Sequence, residues 1–239
     1  MSFAEGTQAS RTVLQAKGGR LRADWLGCVG YAEALELQYK AIDEVRTGGE
    51  DRLLLLEHPP VVTLGRSSSR VNLLEDEEAL GRRGVEVVEV SRGGDVTYHG
   101  RGQLVGYFIS NLRSRGAPDV HRYLRDLESA LIEAVGTFGV EAIGVEGRTG
   151  VFVETPAGEP VRKLASIGVG VRHWVSYHGF GLNVDIDLAE FDAIVPCGLD
   201  DVEMTSLVRE GVESTATLGS RVRDAIADAF EKRFAVVAS

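Results

Sequence analysis

Cysteine and proline are scarce in this sequence of 239 residues, which has 2 cysteines and 6 prolines. Two cysteines far apart in the chain, neither of them in a CxxC pair, do not favour a disulfide framework or a cysteine-based zinc site. Glycine is frequent by comparison, with 29 residues. Together these counts predict many tight turns within ordered structure rather than a proline-rich disordered tail.

Long apolar runs and an excess of positive charge are also absent. No run of about 18 apolar residues is present, so we expect no membrane span, and the N-terminal sequence MSFAEGTQASR lacks the apolar core of a signal peptide. A formal net charge of −10 disfavours binding to nucleic acid. Because the composition is that of an ordinary globular protein, we expect a cytoplasmic location with reduced thiols.

The spacing of apolar residues predicts both helices and strands. The predicted helices cover residues 31–46, 73–83, 117–138 and 217–234, and the predicted strands cover 53–57, 61–64, 85–90, 104–109, 140–145, 150–154, 163–172 and 175–184. Because strands and helices do not alternate strictly, this order predicts an α/β fold of the α+β type, with helices packed on a mixed or mostly antiparallel sheet. We expect residues 1–19 to be disordered or extended and residues 20–239 to form a single domain.

A glycine-rich segment, RGGDVTYHGRGQ at 92–103, follows a predicted strand. Glycine lets backbone N–H groups approach a ligand closely and permits positive φ, and Arg92, Thr97, His99 and Gln103 add polar groups. The segment is not a P-loop, because GxxxxGK followed by Ser or Thr is absent. The residues alone leave two interpretations open, a ligand-binding loop or a glycine-rich hairpin with charged flanks.

Two later strands carry polar residues within apolar sequence. Lys163, in RKLASIG, is either a strand-edge residue that reaches solvent or a partly desolvated functional amine. The residue type alone favours the solvent-exposed interpretation, since lysine is mostly exposed. The segment YHGFGLNV at 177–184 is either a bulged strand that packs Phe180 into the core or part of a site.

The two cysteines lie in different sequence settings. Cys197 lies between proline and glycine in a constrained turn that can present its sulfur to a cleft, whereas buried structural cysteines usually lie in helices or strands. A reactive thiolate needs a nearby cation, a histidine or a helix N-terminus, and a lone cysteine is more often structural than catalytic. Cys28, in WLGCVG, is expected to be a packed small hydrophobe.

Read together and in order, these segments resemble the lipoyl(octanoyl) transferase family. The matching segments are YAEALELQ, EHPPVVTLGR, RGGDVTYHGRGQLVGY, GRTGVFV, KLASIGVGV, HGFGLNVDIDL and FDAIVPCGL, from roughly Tyr31 to Leu207. Several matches in a consistent order are more specific than any one motif. The resemblance implies an α/β fold shared with biotin and lipoate protein ligases, with residues 20–239 as the catalytic domain.

The resemblance also implies an activity, which is transfer of an octanoyl group from octanoyl-acyl carrier protein to a lysine of lipoyl-domain proteins. The acceptors would be the lipoyl domains of 2-oxoacid dehydrogenase E2 subunits and the glycine cleavage H protein, in the first step of protein lipoylation. Cys197 falls on the family's acyl-carrying cysteine and Lys163 on its catalytic lysine, which would lower the thiol pKa and act as general base and acid. Neither cofactor nor metal is required, because the donor arrives as an activated thioester.

The family's acyl-contacting segments fall on three parts of this sequence. They are Arg92, Gly93, Gly94, Asp95, Val96, Thr97, Tyr98 and His99; Ser166, Ile167 and Gly168; and Gly179, Phe180 and Gly181. The family usually has proline at the positions of Arg101 and Phe108, so we expect a different shape at the margin of the glycine-rich segment. The arginines that could dock an acidic carrier protein are Arg66, Arg70, Arg82, Arg83, Arg92 and Arg101.

Three other functions stay open. An ATP-dependent lipoate or biotin protein ligase has the same fold but does not need the cysteine nucleophile. A catalytically silent acyl-binding scaffold is expected to lack Cys197 or Lys163, and both are present. A cysteine hydrolase needs a Cys–His pair, for which His99 and His178 are the candidates.

Overall fold

A computed structural model describes residues 12–14, 21–115, 119–156, 161–195 and 202–234 of the chain. Cys197 therefore lies outside the described residues, as does most of segment 1–19, and the division of the chain at residue 20 stays a prediction. Within the described ranges, no helix is both long and apolar enough to cross a lipid bilayer.

The helices of the described residues are α1 (Tyr31–Arg46), α2 (Glu77–Arg82), α3 (Val120–Gly136) and α4 (Leu218–Phe234). The predictions of α1, α3 and α4 are confirmed, because each has an apolar stripe that is buried. The predicted helix over 73–83 is wrong in its first turn. There the Leu74 N–H donates to the Ala193 carbonyl oxygen at 2.9 Å. The helix begins only after Asp76, whose carboxylate accepts from the Ala79 N–H at 2.7 Å.

The described strands form two sheets. In chain order they are β1 (Thr12–Leu14), β2 (Leu21–Cys28), β3 (Asp51–Glu57), β4 (Val61–Leu64), β5 (Glu86–Glu89), β6 (Val96–His99), β7 (Gln103–Ile109), β8 (Ala142–Ile143), β9 (Val151–Val153), β10 (Val161–Arg172), β11 (Val175–Asn183) and β12 (Val202–Met204). The larger sheet has the order β1-β2-β3-β7-β11-β10-β9-β8, with β12 paired to β10, and the smaller has the order β5-β4-β6. Parallel and antiparallel pairs both occur, so the predicted mixed sheet with packed helices is confirmed. The sequence did not predict β1, β2, β6 or β12 as strands.

The consecutive leucines of β3 show that the larger sheet is buried on both faces. Leu53 and Leu55 pack with α3 and α4, whereas Leu54 and Leu56 pack with α1. This division follows from the strand itself, since successive side chains point to opposite faces. Burial of each leucine side chain stabilises the folded protein by about 1.5–3 kcal/mol. Burial on both faces of β3 thus holds the sheet between two helical layers.

The structure corrects two expectations from the sequence about which residues are buried. Phe108 lies in the core, where its ring centroid is 4.6 Å from that of Phe234, so it does not shape the margin of the glycine-rich segment. Cys28 is exposed rather than packed, because the pairing of β2 with β3 shifts register before it. Arg101, the other departure from the family pattern, is exposed in the turn between β6 and β7.

The chain passes between the two sheets at two places near the same cavity. The proline corner at 58–60 carries it from β3 in the larger sheet to β4 in the smaller one. The glycine-rich segment 92–103 contains β6 and carries it back to β7. The cavity lies where the two sheets meet.

Candidate active site

A cavity of about 230 Å³ lies between the smaller sheet and strands β10 and β11 of the larger one. Every residue that the resemblance assigns to the acyl chain lines it, apart from Gly93 and Tyr98, and Lys163 lines it too. Three segments far apart in sequence therefore come together. Lining residues that the sequence did not assign to this role are Tyr31, Tyr107, Gly147, Arg148, Thr149 and His178.

Gly93 and Tyr98 belong to the glycine-rich segment but do not face the cavity. The Gly93 N–H donates to the Val169 carbonyl oxygen at 2.8 Å, which ties the segment to β10. Tyr98 lies on the other face of β6, where its ring packs edge-on against Phe191 with centroids 5.6 Å apart. Strand alternation explains this orientation, since the neighbours of Tyr98 on both sides line the cavity.

Arg92 is buried and braces the cavity wall. Its Nη2 donates to the carbonyl oxygen and the hydroxyl of Thr63, both at 2.8 Å, and its Nη1 donates to the carbonyl oxygens of Gly93 (3.1 Å) and Asp95 (2.7 Å). The guanidinium thus connects the glycine-rich segment to β4. Gly168 packs beneath it, because a Cβ there would lie 3.1 Å from Arg92 Cδ and 2.8 Å from the Gly93 oxygen.

Asp95 connects the cavity wall to the chain that leads to Cys197. Its Oδ2 accepts from Asn72 Nδ2 at 2.5 Å, and the Asn72 carbonyl oxygen accepts from the Val195 N–H at 2.8 Å. Val195 is the last described residue before Cys197. The chain therefore leaves the described residues next to the cavity wall.

Lys163 is only 1% exposed, so the solvent-exposed interpretation of this lysine is wrong. It lies within the larger sheet, opposite Phe152 of β9 on one side and Met204 of β12 on the other. A register shift between Lys163 and Ala165 marks a β-bulge, a feature that re-aims side chains and often lies beside active sites. Nζ is 5.4 Å from the centroid of the Phe152 ring, where the ring face attracts a cation.

Three buried histidines near the cavity are held in the neutral form. Burial lowers the pKa of His99 and of His178 to about 3, and it lowers the pKa of His58 to about 4. His99 Nδ1 lies 2.6 Å from Gln103 Oε1, while Gln103 Nε2 donates to Asn183 Oδ1 at 2.9 Å. Since Oε1 can only accept, Nδ1 of His99 carries the proton.

His58, which the sequence did not single out, fixes Tyr107 of the cavity wall. Its Nδ1 donates to the Val29 carbonyl oxygen at 2.6 Å, and its Nε2 accepts from the Tyr107 hydroxyl at 2.7 Å. In the sequence, His58 is followed by two prolines, a pattern typical of a chain corner and not of a site.

Several buried side-chain atoms have no hydrogen-bond partner among the described residues. Those in the cavity lining include Thr97 Oγ1, Ser166 Oγ and His178 Nε2. An unsatisfied buried polar group costs about 1–3 kcal/mol, so these atoms are suited to a bound carbonyl or to water. Within the described ranges, no group of three or more His, Cys, Asp or Glu side chains is arranged to hold a metal ion.

Gly179 and Gly181 are required by strand pairing as well as by the cavity. A Cβ on Gly179 would lie 2.1 Å from the Gly106 carbonyl oxygen of β7, and a Cβ on Gly181 would lie 2.7 Å from Gln103 Oε1. A larger residue at either position would therefore disturb the sheet. Phe180, between them, is buried in the core and also lines the cavity. The interpretation that Phe180 packs into the core is therefore confirmed, while its role in a site stays a prediction.

The sequence matches known proteins over most of its length. Residues 30–231 match a family model described as the lipoyl protein ligase A/B catalytic domain. An octanoyltransferase from Acidobacterium capsulatum is 48% identical over 217 residues, which cover 87% of this chain and 88% of that protein. An octanoyltransferase from Geobacter sp. strain M21 is 54% identical over 185 residues, which cover 77% of this chain and 84% of that protein.

Solved structures of lipoate protein ligases share the fold. A bipartite lipoate protein ligase from Thermoplasma acidophilum matches with a TM-score of 0.68 at 17% identity, covering 91% of this chain and 84% of that one. A lipoate-protein ligase A bound with ATP matches with a TM-score of 0.65 at 18% identity, covering 91% and 86%. The expected likeness to lipoate protein ligases is confirmed. The family model and the octanoyltransferase relatives show that the chain belongs to the lipoyl protein ligase A/B catalytic domain family and, within it, to the octanoyltransferases, which are acyltransferases.

Proposed function

We propose that this octanoyltransferase takes its octanoyl group from octanoyl-acyl carrier protein and carries it as a thioester on Cys197. It then passes the group to a lysine of lipoyl domains, in 2-oxoacid dehydrogenase E2 subunits and in the glycine cleavage H protein. Lys163 is the partner of the thiol. The reaction is the first step of protein lipoylation.

The observation that carries this proposal is the burial of Lys163 at the cavity wall. Lysine is almost never fully buried unless it is paired. The segment that contains Cys197 is bordered by Val195, which is bonded to the chain beside the cavity wall, and by Val202, which begins the strand next to that of Lys163. Cys197 follows Val195 by two residues, each of which spans at most about 3.6 Å, so the position of Val195 supports a thiol near the cavity.

The chemistry needs two acyl transfers. In the first, the Cys197 thiolate attacks the carbonyl carbon of the donor thioester, and the thiolate of the carrier protein leaves. In the second, a neutral acceptor amine attacks the new thioester, and the Cys197 thiolate leaves. As an ammonium, Lys163 stabilises the Cys197 thiolate by Coulomb attraction. It gives its proton to the departing thiolate of the carrier protein, and as an amine it then takes the proton of the attacking acceptor amine.

The cavity suits an acyl chain that ends in a carbonyl. Val96, Ile167 and Phe180 supply apolar surface, and each methylene buried against it contributes about 0.8 kcal/mol. The hydroxyls of Thr97 and Ser166 are available to the polar end of the ligand. The length of the acyl chain is therefore selected by how many of its methylenes the apolar surface buries.

Internal contacts narrow the set of arginines that could dock an acidic carrier protein. Those committed to ion pairs or to the cavity wall are Arg70, Arg82, Arg83 and Arg92. Arg66 and Arg101 are exposed and form no ion pair with the part of the chain that the structure describes. The pKa of His178 in the cavity wall is lowered first by burial, then by the charge of Arg92 and then by that of Arg66. Because its charge acts on the cavity wall, Arg66 is the stronger candidate.

Two alternatives are less well supported. A cysteine hydrolase needs a histidine that takes the thiol proton near neutral pH, but burial lowers the pKa of both His99 and His178 to about 3. An ATP-dependent ligase has the same fold, yet the relatives at 48% and 54% identity are octanoyltransferases.

Intact-mass analysis after mixing with octanoyl-acyl carrier protein tests the proposal. We expect a gain of one octanoyl group on the wild type and on Cys28→Ser, which replaces an exposed cysteine, and no gain on Cys197→Ser. An apo lipoyl domain added afterwards should remove the group. Acylation of Cys28 alone would refute the assignment of the nucleophile. Modification of the lipoyl domain from free octanoate and ATP, but not from the carrier protein, would favour the ligase.

A further inference from the structure

A carboxylate is buried on the core-facing side of α3. Glu128 is 3% exposed and is flanked by Leu127 and by Leu131 one turn later, both fully buried. A buried carboxylate is unfavourable unless it is paired and hydrogen-bonded. Its presence on an apolar face therefore indicates a specific partner.

The partners of Glu128 include a loop at residues 144–150. Oε1 accepts from the Gly150 N–H at 3.0 Å, and Oε2 accepts from Arg125 Nη1 at 2.5 Å. Arg125 in turn donates to the Arg148 carbonyl oxygen at 3.3 Å. One turn of α3 thus holds this loop at two points, through Gly150 and through Arg148.

The 144–150 loop contacts the cavity and the side chain of Lys163. Gly147, Arg148 and Thr149 line the cavity. Gly150 has a φ of +138°, and a Cβ built on it would lie 2.9 Å from Lys163 Cε and 3.4 Å from Nζ. The bare backbone at Gly150 therefore lies directly against the end of the lysine side chain, and no larger residue fits there without displacing it.

We propose that Glu128 is a positioning residue for Lys163. By holding the Gly150 N–H it keeps the 144–150 loop packed on the lysine side chain, so that the ammonium group stays at the cavity wall. Glu128 does not itself touch the substrate. This inference rests on the proposed role of Lys163 as the partner of the Cys197 thiol.

Two substitutions at one position separate the hydrogen bond from the charge. Glu128→Gln keeps an oxygen that accepts from Gly150, whereas Glu128→Ala removes the acceptor. Glu133→Ala is the matched control, since it removes a carboxylate of the same helix that is ion-paired with Lys232. All variants carry Cys28→Ser, so that Cys197 is the only thiol.

We expect amide exchange in peptides covering 144–151 to accelerate in Glu128→Ala and to change little in Glu128→Gln and Glu133→Ala. Because a misplacement of about 1 Å can cost about a hundredfold in rate, kcat should fall at least about tenfold in Glu128→Ala. The KM for octanoyl-acyl carrier protein should change less than about threefold, since the positioning acts on the reacting groups. The pH midpoint of Cys197 alkylation should rise in Glu128→Ala, by less than in Lys163→Ala.

Three results would overturn the inference. One is an unchanged alkylation midpoint in Glu128→Ala despite faster loop exchange. The second is a Glu128→Gln variant whose kcat is as low as that of Glu128→Ala. If Glu128→Ala does not fold, a Glu128→Gln variant that folds but is inactive would overturn the inference in the same way. The third is an equal loss in Glu133→Ala. If Lys163→Ala itself leaves alkylation and transfer unchanged, the proposed function fails instead, so the two failures are distinguishable.

Discussion

The ring of Phe180 lies over the bare backbone of Gly106. The two residues are cross-strand partners in β11 and β7, and a Cβ built on Gly106 would lie 2.2 Å from Phe180 Cζ. The ring is also packed against Phe230, with centroids 5.5 Å apart. Gly106 therefore leaves the space that lets Phe180 serve the core and the cavity together.

Gly106→Ala should push the Phe180 ring out of this position. Overpacking of this kind costs about 1–3 kcal/mol, so the free energy of unfolding measured with urea should fall by that amount. The rate of acylation by octanoyl-acyl carrier protein should fall as well, since the displaced ring lines the cavity.

A double-mutant cycle separates this contact from a general weakness of β7. Phe180→Leu removes the ring, so Gly106→Ala should cost less in a Phe180→Leu background than in the wild type, because residues in contact are not additive. Equal costs in both backgrounds would show that the alanine acts elsewhere.

The buried histidines predict a loss of stability in weak acid. The folded-state pKa values of about 4 for His58 and about 3 for His99 and His178 lie below the ordinary 6.5. The unfolded chain therefore binds more protons below pH 6.5, and stability falls as the pH drops from 6.5 towards 4. Each histidine lowers the free energy of unfolding by up to about 1.4 kcal/mol for each pH unit of acidification in this window.

Urea denaturation at pH 7.5, 6.5 and 5.5 measures this effect before most carboxylates titrate. His58→Gln should reduce the slope of stability against pH by about one proton. A wild-type slope in His58→Gln would mean that His58 is not held neutral in the folded protein.

Arg66 is expected to help dock the carrier protein. Arg66→Glu should raise the KM for octanoyl-acyl carrier protein by about tenfold at low ionic strength, and added salt should shrink the difference because exposed charges are screened. Arg82→Glu is the matched control, since Arg82 is exposed but paired with Glu78. With octanoyl-pantetheine, a small donor, the KM of Arg66→Glu should differ only slightly from that of the wild type. Equal effects of the two substitutions would exclude Arg66 as a specific contact.

The elements that the sequence predicts well are those whose pattern is local. The buried residues of α1 include Ala34, Ile42 and Val45, and their helical spacing is visible without a structure. The glycine-rich segment was recognisable as a unit for the same reason. That it encloses a cavity with β10 and β11 depends on pairing across distant parts of the chain, which a local pattern does not contain.

The burial of Lys163 was not predictable from its residue type. It results from a β-bulge and from the strands on both sides of β10, and β12 was too short to be recognised. Glu128 escaped notice because a glutamate in an amphipathic helix usually faces solvent. Its partner Gly150 is distant in sequence, and only the folded chain brings the two together.

Lys163→Arg separates the two roles assigned to the lysine. Arginine keeps a positive charge but cannot give up its proton, so this variant should still form the acyl-enzyme with octanoyl-acyl carrier protein and should transfer the group to the lipoyl domain slowly. Intact-mass analysis should show the acylated protein accumulating. Wild-type transfer by Lys163→Arg would rule out a proton-accepting role.

The pairing of Lys163 with the Cys197 thiol is tested most directly by the pH dependence of thiol alkylation. In a Cys28→Ser background, the rate of modification of Cys197 by iodoacetamide is measured with and without Lys163→Ala. Because a nearby opposite charge shifts a pKa by about 1–3 units, the midpoint should move to higher pH by that amount when the ammonium is removed. Identical pH profiles in the two proteins, with undiminished octanoyl transfer by Lys163→Ala, would contradict the pairing.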